Sequence, residues 1–239
     1  MNWINVTTWE THVSVTSSVS SITVEGIDLQ GNLVDSAGLT INFTGPLPSP
    51  APTNELVFNE IHYHPLEPNA EFIEIHNRSA NTSYDLDGFR IEGVDMDFGP
   101  QSLIGPGEYA VLAENVAQFA NVYTNVEVVM GSYAGNLDDQ GEMLRLLSPS
   151  VSNTWRLLDQ VRYDNNAPWP VMAAGTGPSL QLQDGAQDNR RAGNWAAVTN
   201  TLPRYTPGAS NSVPFQMPVM PALWINEIMP QNTSTIADN

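Results

Sequence analysis

The sequence predicts an all-β protein, and three observations carry that prediction. Apolar residues recur at alternate positions in short runs, as in Ile22-Thr23-Val24-Glu25-Gly26-Ile27 and Leu39-Thr40-Ile41-Asn42-Phe43-Thr44. Alternation is what a strand with one buried face requires. Gly, Pro, Asn and Asp punctuate the runs at Asp87-Gly88, Gly105-Pro106-Gly107, Asp139-Gln140-Gly141 and Ser148-Pro149. Many short strands separated by turn residues signal a sandwich or barrel. Charged residues make up only 14% of the chain. Its polarity comes instead from Asn, Ser, Thr, Gln and Gly, which suit strands and loops better than the Lys and Glu of surface helices.

Taken in order, residues 1–45 read as two strands joined by turn chemistry at Asp28-Leu29-Gln30-Gly31-Asn32, with Val13, Val15 and Val19 ahead of them. Two strands are too few to fold alone, so this segment is expected to be the C-terminal part of a β domain that begins upstream. Four prolines in Gly45–Pro52 break the ladder potential of the chain and define a stiff linker over 46–53. Strands are expected at Leu56–Tyr63, Glu71–His76, Gly88–Glu92, Glu108–Ala113, Val126–Val129, Met143–Leu147, Leu157–Tyr163 and Ser179–Leu182. One helix is expected at Asn115–Val122, with Val116, Phe119 and Ala120 on one face. A second proline-rich linker covers 213–222. Beyond it, Leu223-Trp224-Ile225-Asn226-Glu227-Ile228 repeats the pattern of Leu56-Val57-Phe58-Asn59-Glu60-Ile61. Residues 223–239 are therefore expected to open a second copy of the module in 54–212, the mark of a tandem array.

The charge is lopsided, with 26 acidic residues against 8 basic ones, all arginine, for a net charge of −18. That balance excludes nucleic acid and anionic membrane surfaces as partners, since neither offers counter-charge. Cysteine is absent, which excludes a disulfide framework, thiol catalysis and cysteine-bound zinc. No apolar run approaches the ~18 residues needed to cross a bilayer. Met1–Glu10 lacks the basic and apolar blocks of a signal peptide, so any export signal is expected upstream.

The middle of the chain resembles the lamin tail domain family. The residues that carry the likeness are Phe58-Asn59-Glu60-Ile61, Glu71-Phe72-Ile73-Glu74-Ile75-His76-Asn77, Asp85-Leu86-Asp87-Gly88-Phe89, Ile104-Gly105-Pro106-Gly107-Glu108-Tyr109, Asn136–Leu146 and Val161-Arg162-Tyr163. Ala167-Pro168-Trp169-Pro170, Ser179–Leu182, Asn194-Trp195 and Thr206-Pro207-Gly208 are similar to extensions of exported bacterial members. The resemblance implies an immunoglobulin-like β-sandwich without catalytic machinery, set in a large secreted or surface protein. Alternation in Ile61, Tyr63, Ile73 and Ile75 offers one apolar face to the core. Gly88 and Gly107 fall where turns need positive φ. Asp85 is placed to bond the backbone two residues on.

Four groups of residues carry candidate chemistry. Glu60, His62 and His64 alternate on one strand, and Glu74 and His76 on the next, a zinc-like donor set if the strands pair. The plainer reading makes these the solvent-facing positions of half-buried strands. Asp138 and Asp139, with Asp95, Asp97 and the 184–188 loop, offer carboxylates of the kind calcium takes; no cofactor is expected, with Ca2+ weighed as the exception. Trp155, Trp169 and Trp195 are candidate sugar-stacking rings, against core or loop packing. Asn5, Asn42, Asn77, Asn81 and Asn232 head Asn-x-Ser/Thr sequons. No Gly-x-Ser-x-Gly elbow or phosphate loop is present. The expected function is a non-catalytic adhesive or spacer module, its partner a protein or polysaccharide at the cell surface. A carbohydrate-binding accessory domain is the alternative, and a metal-dependent hydrolase the third reading.

Overall fold

The computed structural model describes residues 2–5, 8–10, 19–28, 30, 32–42, 52–124, 126, 129–150, 154–198, 203–213 and 215. Near the N-terminus, β1 (Asn2–Asn5) pairs antiparallel with β2 (Thr8–Glu10). β3 (Val19–Ile27) pairs antiparallel with β4 (Leu33–Asn42), in register from Val19↔Asn42 to Gly26↔Asp35. The turn forms as expected. Asp28 Oδ1 accepts from the backbone N–H of Gln30 at 2.9 Å and of Asn32 at 2.8 Å, an aspartate-stabilised turn. Both strands run beyond their apolar alternation, because the ladder continues through Val19–Ser21 and Leu33–Gly38. Val13, Val15, the first linker up to Ala51 and the expected second copy at 223–239 lie outside the described residues.

From Leu56 to Ala196 the chain builds one sandwich. Its strands are β5 (Leu56–His62), β6 (Phe72–Asn77), β7 (Tyr84–Asp85), β8 (Arg90–Glu92), β9 (Met96–Asp97), β10 (Leu103–Ile104), β11 (Tyr109–Ala113), β12 (Val129–Ser132), β13 (Met143–Pro149), β14 (Trp155–Arg162), β15 (Leu180–Leu182) and β16 (Trp195–Ala196). Six form one sheet in the order β12-β11-β6-β5-β15-β16, four form another in the order β14-β13-β8-β9, and β10 pairs with β7. Helix α1 (Val116–Val122) lies between β11 and β12. Those two strands are parallel, and a parallel pair needs a crossover of this kind. Asn115 caps the helix rather than joining it, accepting from Gln118 N–H at 3.0 Å.

The face expected for the helix is corrected. Phe119 is fully buried, but Val116 is 44% exposed and Ala120 is exposed; Tyr123 and Val122 complete the packed face instead. The strand expected at Val126–Val129 begins at Val129, because its ladder with β11 runs from Val111↔Val129 to Ala113↔Ser132.

The core lies between the two large sheets. Phe58, Ile61, Ile73, Ile75 and Leu112 from one meet Ile91, Leu144, Leu146 and Val161 from the other. A register shift between Phe58 and Glu60 is a bulge at Asn59. It lets Phe58 and Ile61, three residues apart, face the same core. Gly88 (φ 77°) and Gly107 (φ 73°) take the positive φ expected of them. Asp85 Oδ1 accepts from Asp87 N–H at 3.0 Å, as its position suggested. Ile73 pairs with both Ile61 and Leu112 and is wholly buried. Ile73→Ala is expected to cost about 2–5 kcal/mol in urea unfolding, because the flanking strands cannot close the void.

Candidate functional site

The outer face of the six-stranded sheet carries the polar residues singled out above, and it is not exposed. Glu60, Glu74 and Gln181 are wholly buried and His62 is 2% exposed. The solvent-facing reading of these positions is therefore corrected: β5 and β6 are covered on both faces. The cover has two parts. Helix α1 and its flank pack Phe119 and Tyr123 onto Phe72, Val111 and Ala113. The segment 203–213 then straps across β5, β6 and β15.

Glu60 and Glu74 hold that strap. They face each other across the β5–β6 pair. Glu60 accepts from Thr206 N–H at 2.9 Å, from Thr206 Oγ1 at 2.9 Å and from Ser179 Oγ at 2.5 Å. Glu74 accepts from Gly208 N–H at 2.5 Å and Asn59 Nδ2 at 2.7 Å. Asn211 donates to the carbonyls of Asn59 (3.0 Å) and Leu182 (2.8 Å). Gln181 Oε1 takes the N–H and hydroxyl of Ser212, each at 2.8 Å. Burial raises the Glu60 carboxyl to about 7 against the pull of its donors. Burial and then the charge of Glu60 push Glu74 well above the usual carboxylate range. The pair has neighbours enough to be satisfied but no cation, the arrangement in which one proton is retained.

His62 points away from this pair into an aromatic nest. Its Nδ1 lies 2.8 Å from the Tyr123 hydroxyl, which donates to Ala70 C=O at 2.9 Å. Phe72 meets the imidazole edge-on at 5.5 Å and Tyr205 lies over it at 5.7 Å. Burial, foremost, lowers its pKa to about 3. His76 stacks on Tyr109 at 4.4 Å, and His64 pairs with Asp139 at 3.2 Å. Glu60, His62, Glu74 and His76 thus find separate partners. Among the described residues, no three His, Asp or Glu side chains converge as metal ligands.

Asp138 belongs to a turn. Its Oδ1 accepts from Gln140 N–H at 2.8 Å, and its carbonyl takes the Tyr163 hydroxyl at 3.0 Å. Burial raises the nearby Glu71 carboxyl to about 7, against the Leu137 N–H that bonds it. Of the tryptophans, Trp169 and Trp195 are buried, their ring centres 6.2 Å apart, and Trp195 Nε1 donates to Asn189 C=O at 2.6 Å. Neither ring is presented to solvent, so the stacking role weighed for them gives way to core packing. Trp155 is 44% exposed with the Arg90 guanidinium over its ring at 4.3 Å. Asn77, wholly buried, donates to Thr82 and Gly105 carbonyls, which removes it as a glycan acceptor.

The family model of the lamin tail domain matches residues 49–165. That stretch is a lamin tail domain. No curated protein and no solved structure matches the chain significantly. The lamin tail domain has the immunoglobulin-like β-sandwich fold seen here. Its match ends within the turn after β14, yet the folded unit goes further. β15 adds to β5 through Leu180↔Ile61 and Gln181↔Glu60, and Trp169, Leu180, Leu182 and Trp195 share the core. Sequence reasoning placed Ser179 in a strand without its role, and missed the other residues that cover the lamin tail domain: Tyr123, Tyr205 and Asn211. Thr206-Pro207-Gly208 was visible only as a resemblance, because its partner Glu60 is 146 residues away.

Proposed function

We propose that this chain is a non-catalytic interaction module of a large exported bacterial protein, acting in adhesion or spacing at the cell surface, with a protein or polysaccharide partner. The observation that carries the reading is the use to which the reactive side chains are put. Glu60 and Glu74, the acid pair with the most perturbed surroundings, bond the chain's own Thr206 and Gly208 and are wholly buried beneath them. A catalytic acid pair has to face substrate. A net charge of −18 with no lysine suits an extracellular surface that stays soluble. No helix among the described residues is long and apolar enough to cross a membrane. The test is antibody labelling of intact, unpermeabilised source cells, with the culture medium assayed beside them. Surface or medium signal is expected; recovery from the cytosol alone overturns the reading.

The carbohydrate-binding alternative keeps one supporting observation, the half-exposed Trp155 with Arg90 on its ring. A glycan array separates the two: a saturable hit lost in Trp155→Ala favours sugar binding.

A further inference from the structure

A cleft of about 430 Å³ opens beside His62, between the loop after β5, the end of α1 and the start of the strap. Its walls are the rings of Tyr123 and Tyr205, the side chains of Leu66 and Arg204, and the backbone of Gly177. Tyr123 and Tyr205 stand nearly perpendicular with centres 4.8 Å apart, so one edge and one face are offered together. Pro65, Val122 and Pro203 complete an apolar lining.

Arg204 Nε is buried here without a hydrogen-bond partner. His62, 2% exposed, is held by Tyr123 on Nδ1 and by the Gly177 backbone. Burying a donor unbonded is costly, and it marks a place where a ligand's polar group restores the balance. Arg204 is notable for a second reason. In a chain of 26 acidic residues and 8 basic ones, its guanidinium forms no ion pair among the described residues. Its own carbonyl is fixed by Ser179 N–H at 3.1 Å, so the side chain starts from an anchored backbone.

The ligand must therefore be apolar in its side chains and rich in free backbone polar groups. An extended proline-rich peptide has both properties. In the polyproline II conformation no backbone group bonds internally, and rings three residues apart fall on one edge. Aromatic-lined grooves with a hydrogen-bond donor recognise that shape. The chain contains such a segment. Val213–Ala222 bears no charge, so the field of the acidic surface does not repel it, and its Pro218 and Pro221 are three residues apart. Phe215 N–H is held by Gln183 C=O at 3.1 Å. Gln183 lies past Leu182, while Gly177 lies before Leu180, so Phe215 is held at the end of β15 remote from the cleft.

We propose that the cleft binds a neutral proline-rich segment in the polyproline II conformation, and that its occupant is the Val213–Ala222 connector of a second copy of this chain. Glu67 at the rim is exposed and faces no charge on that segment.

The test titrates a synthetic Val213–Ala222 peptide into the full chain by calorimetry. Saturable binding with a Kd on the order of 100 µM is expected. The same peptide with Pro218→Ala and Pro221→Ala should bind about tenfold more weakly. Leu66→Glu in the protein should weaken binding about tenfold too. Leu66 is 62% exposed, so that variant keeps the fold; Arg204→Met tests the donor separately. Sedimentation of the full chain should show concentration-dependent dimers that excess peptide dissociates. No saturable binding at millimolar peptide, or binding indifferent to both Leu66→Glu and the proline changes, overturns the site. Peptide binding by a chain that stays monomeric to millimolar concentration overturns the second-copy assignment.

Discussion

A chain ending at Asn165, where the lamin tail match stops, is expected not to fold. The truncation removes Trp169, Ala173, Leu180, Leu182 and Trp195 from the core. At about 1.5–3 kcal/mol for each large apolar side chain, that loss is on the order of 10 kcal/mol. Whole domains are stable by only about 5–15 kcal/mol. The truncation also strips β15 from β5 and the strap from the outer face. Glu60 and Glu74 then meet water, and β5, which carries Glu60 and His62, becomes an edge. Circular dichroism should show no cooperative melt, and a hydrophobic dye should bind. A sharp transition within a few degrees of the full chain's would show that the folded unit ends where the family match ends.

The second large effect is a dependence on pH that runs through Glu60. Its folded pKa is about 7 against 4.5 for an ordinary glutamate. A carboxyl raised on folding contributes stability that is fully present below pH 4.5 and lost as pH rises to about 7. The shift is worth about 3 kcal/mol, with no discount for solvent, since the group is fully buried. Glu74 and Glu71 shift the same way. His62, lowered to about 3 from 6.5, works in the opposite sense and loses stability as pH falls below 6.5. The wild-type profile should therefore peak near pH 4.5, above which the loss from the three glutamates outweighs the gain from His62, and decline toward pH 8. Glu60→Gln keeps an acceptor for Ser179 or Thr206 and imitates the protonated acid. The variant should be less stable than wild type at pH 5 and gain on it by about 3 kcal/mol by pH 7.5. A difference between the two proteins that stays constant from pH 5 to 8 in urea titrations would disprove the assignment.

The strands and the family were legible in the sequence because alternation and turn chemistry are local. Ile61, Tyr63, Ile73 and Ile75 face the core as read, and Gly88 and Asp85 do what their positions imply. The bulge was legible in principle: Phe58, Ile61 and Tyr63 cannot share a face without one extra residue at Asn59. The two-residue strands β7, β9, β10 and β16 are too short to show any period. What stayed hidden was the second cover. Polar residues alternating with apolar ones read as a wet face, and only a distant segment rich in donors makes that face dry. Asn211 and Thr206 supply those donors from about 150 positions downstream of β5. Trp169 and Trp195 illustrate the same gap: aromatic rings in loop-like stretches look available until the packing is known.

The strap also fixes where neighbouring segments attach. Leu56 opens β5, and Asn211 is bonded to Asn59 three residues along the same strand, with Phe215 held by Gln183 just beyond. The polypeptide thus comes in and goes out at one pole of the sandwich. Such a body adds little contour length between the segments that flank it. Its far pole stands clear of that entry point, and tension applied to the flanking segments bears on the Asn59–Asn211 clip before it reaches the core.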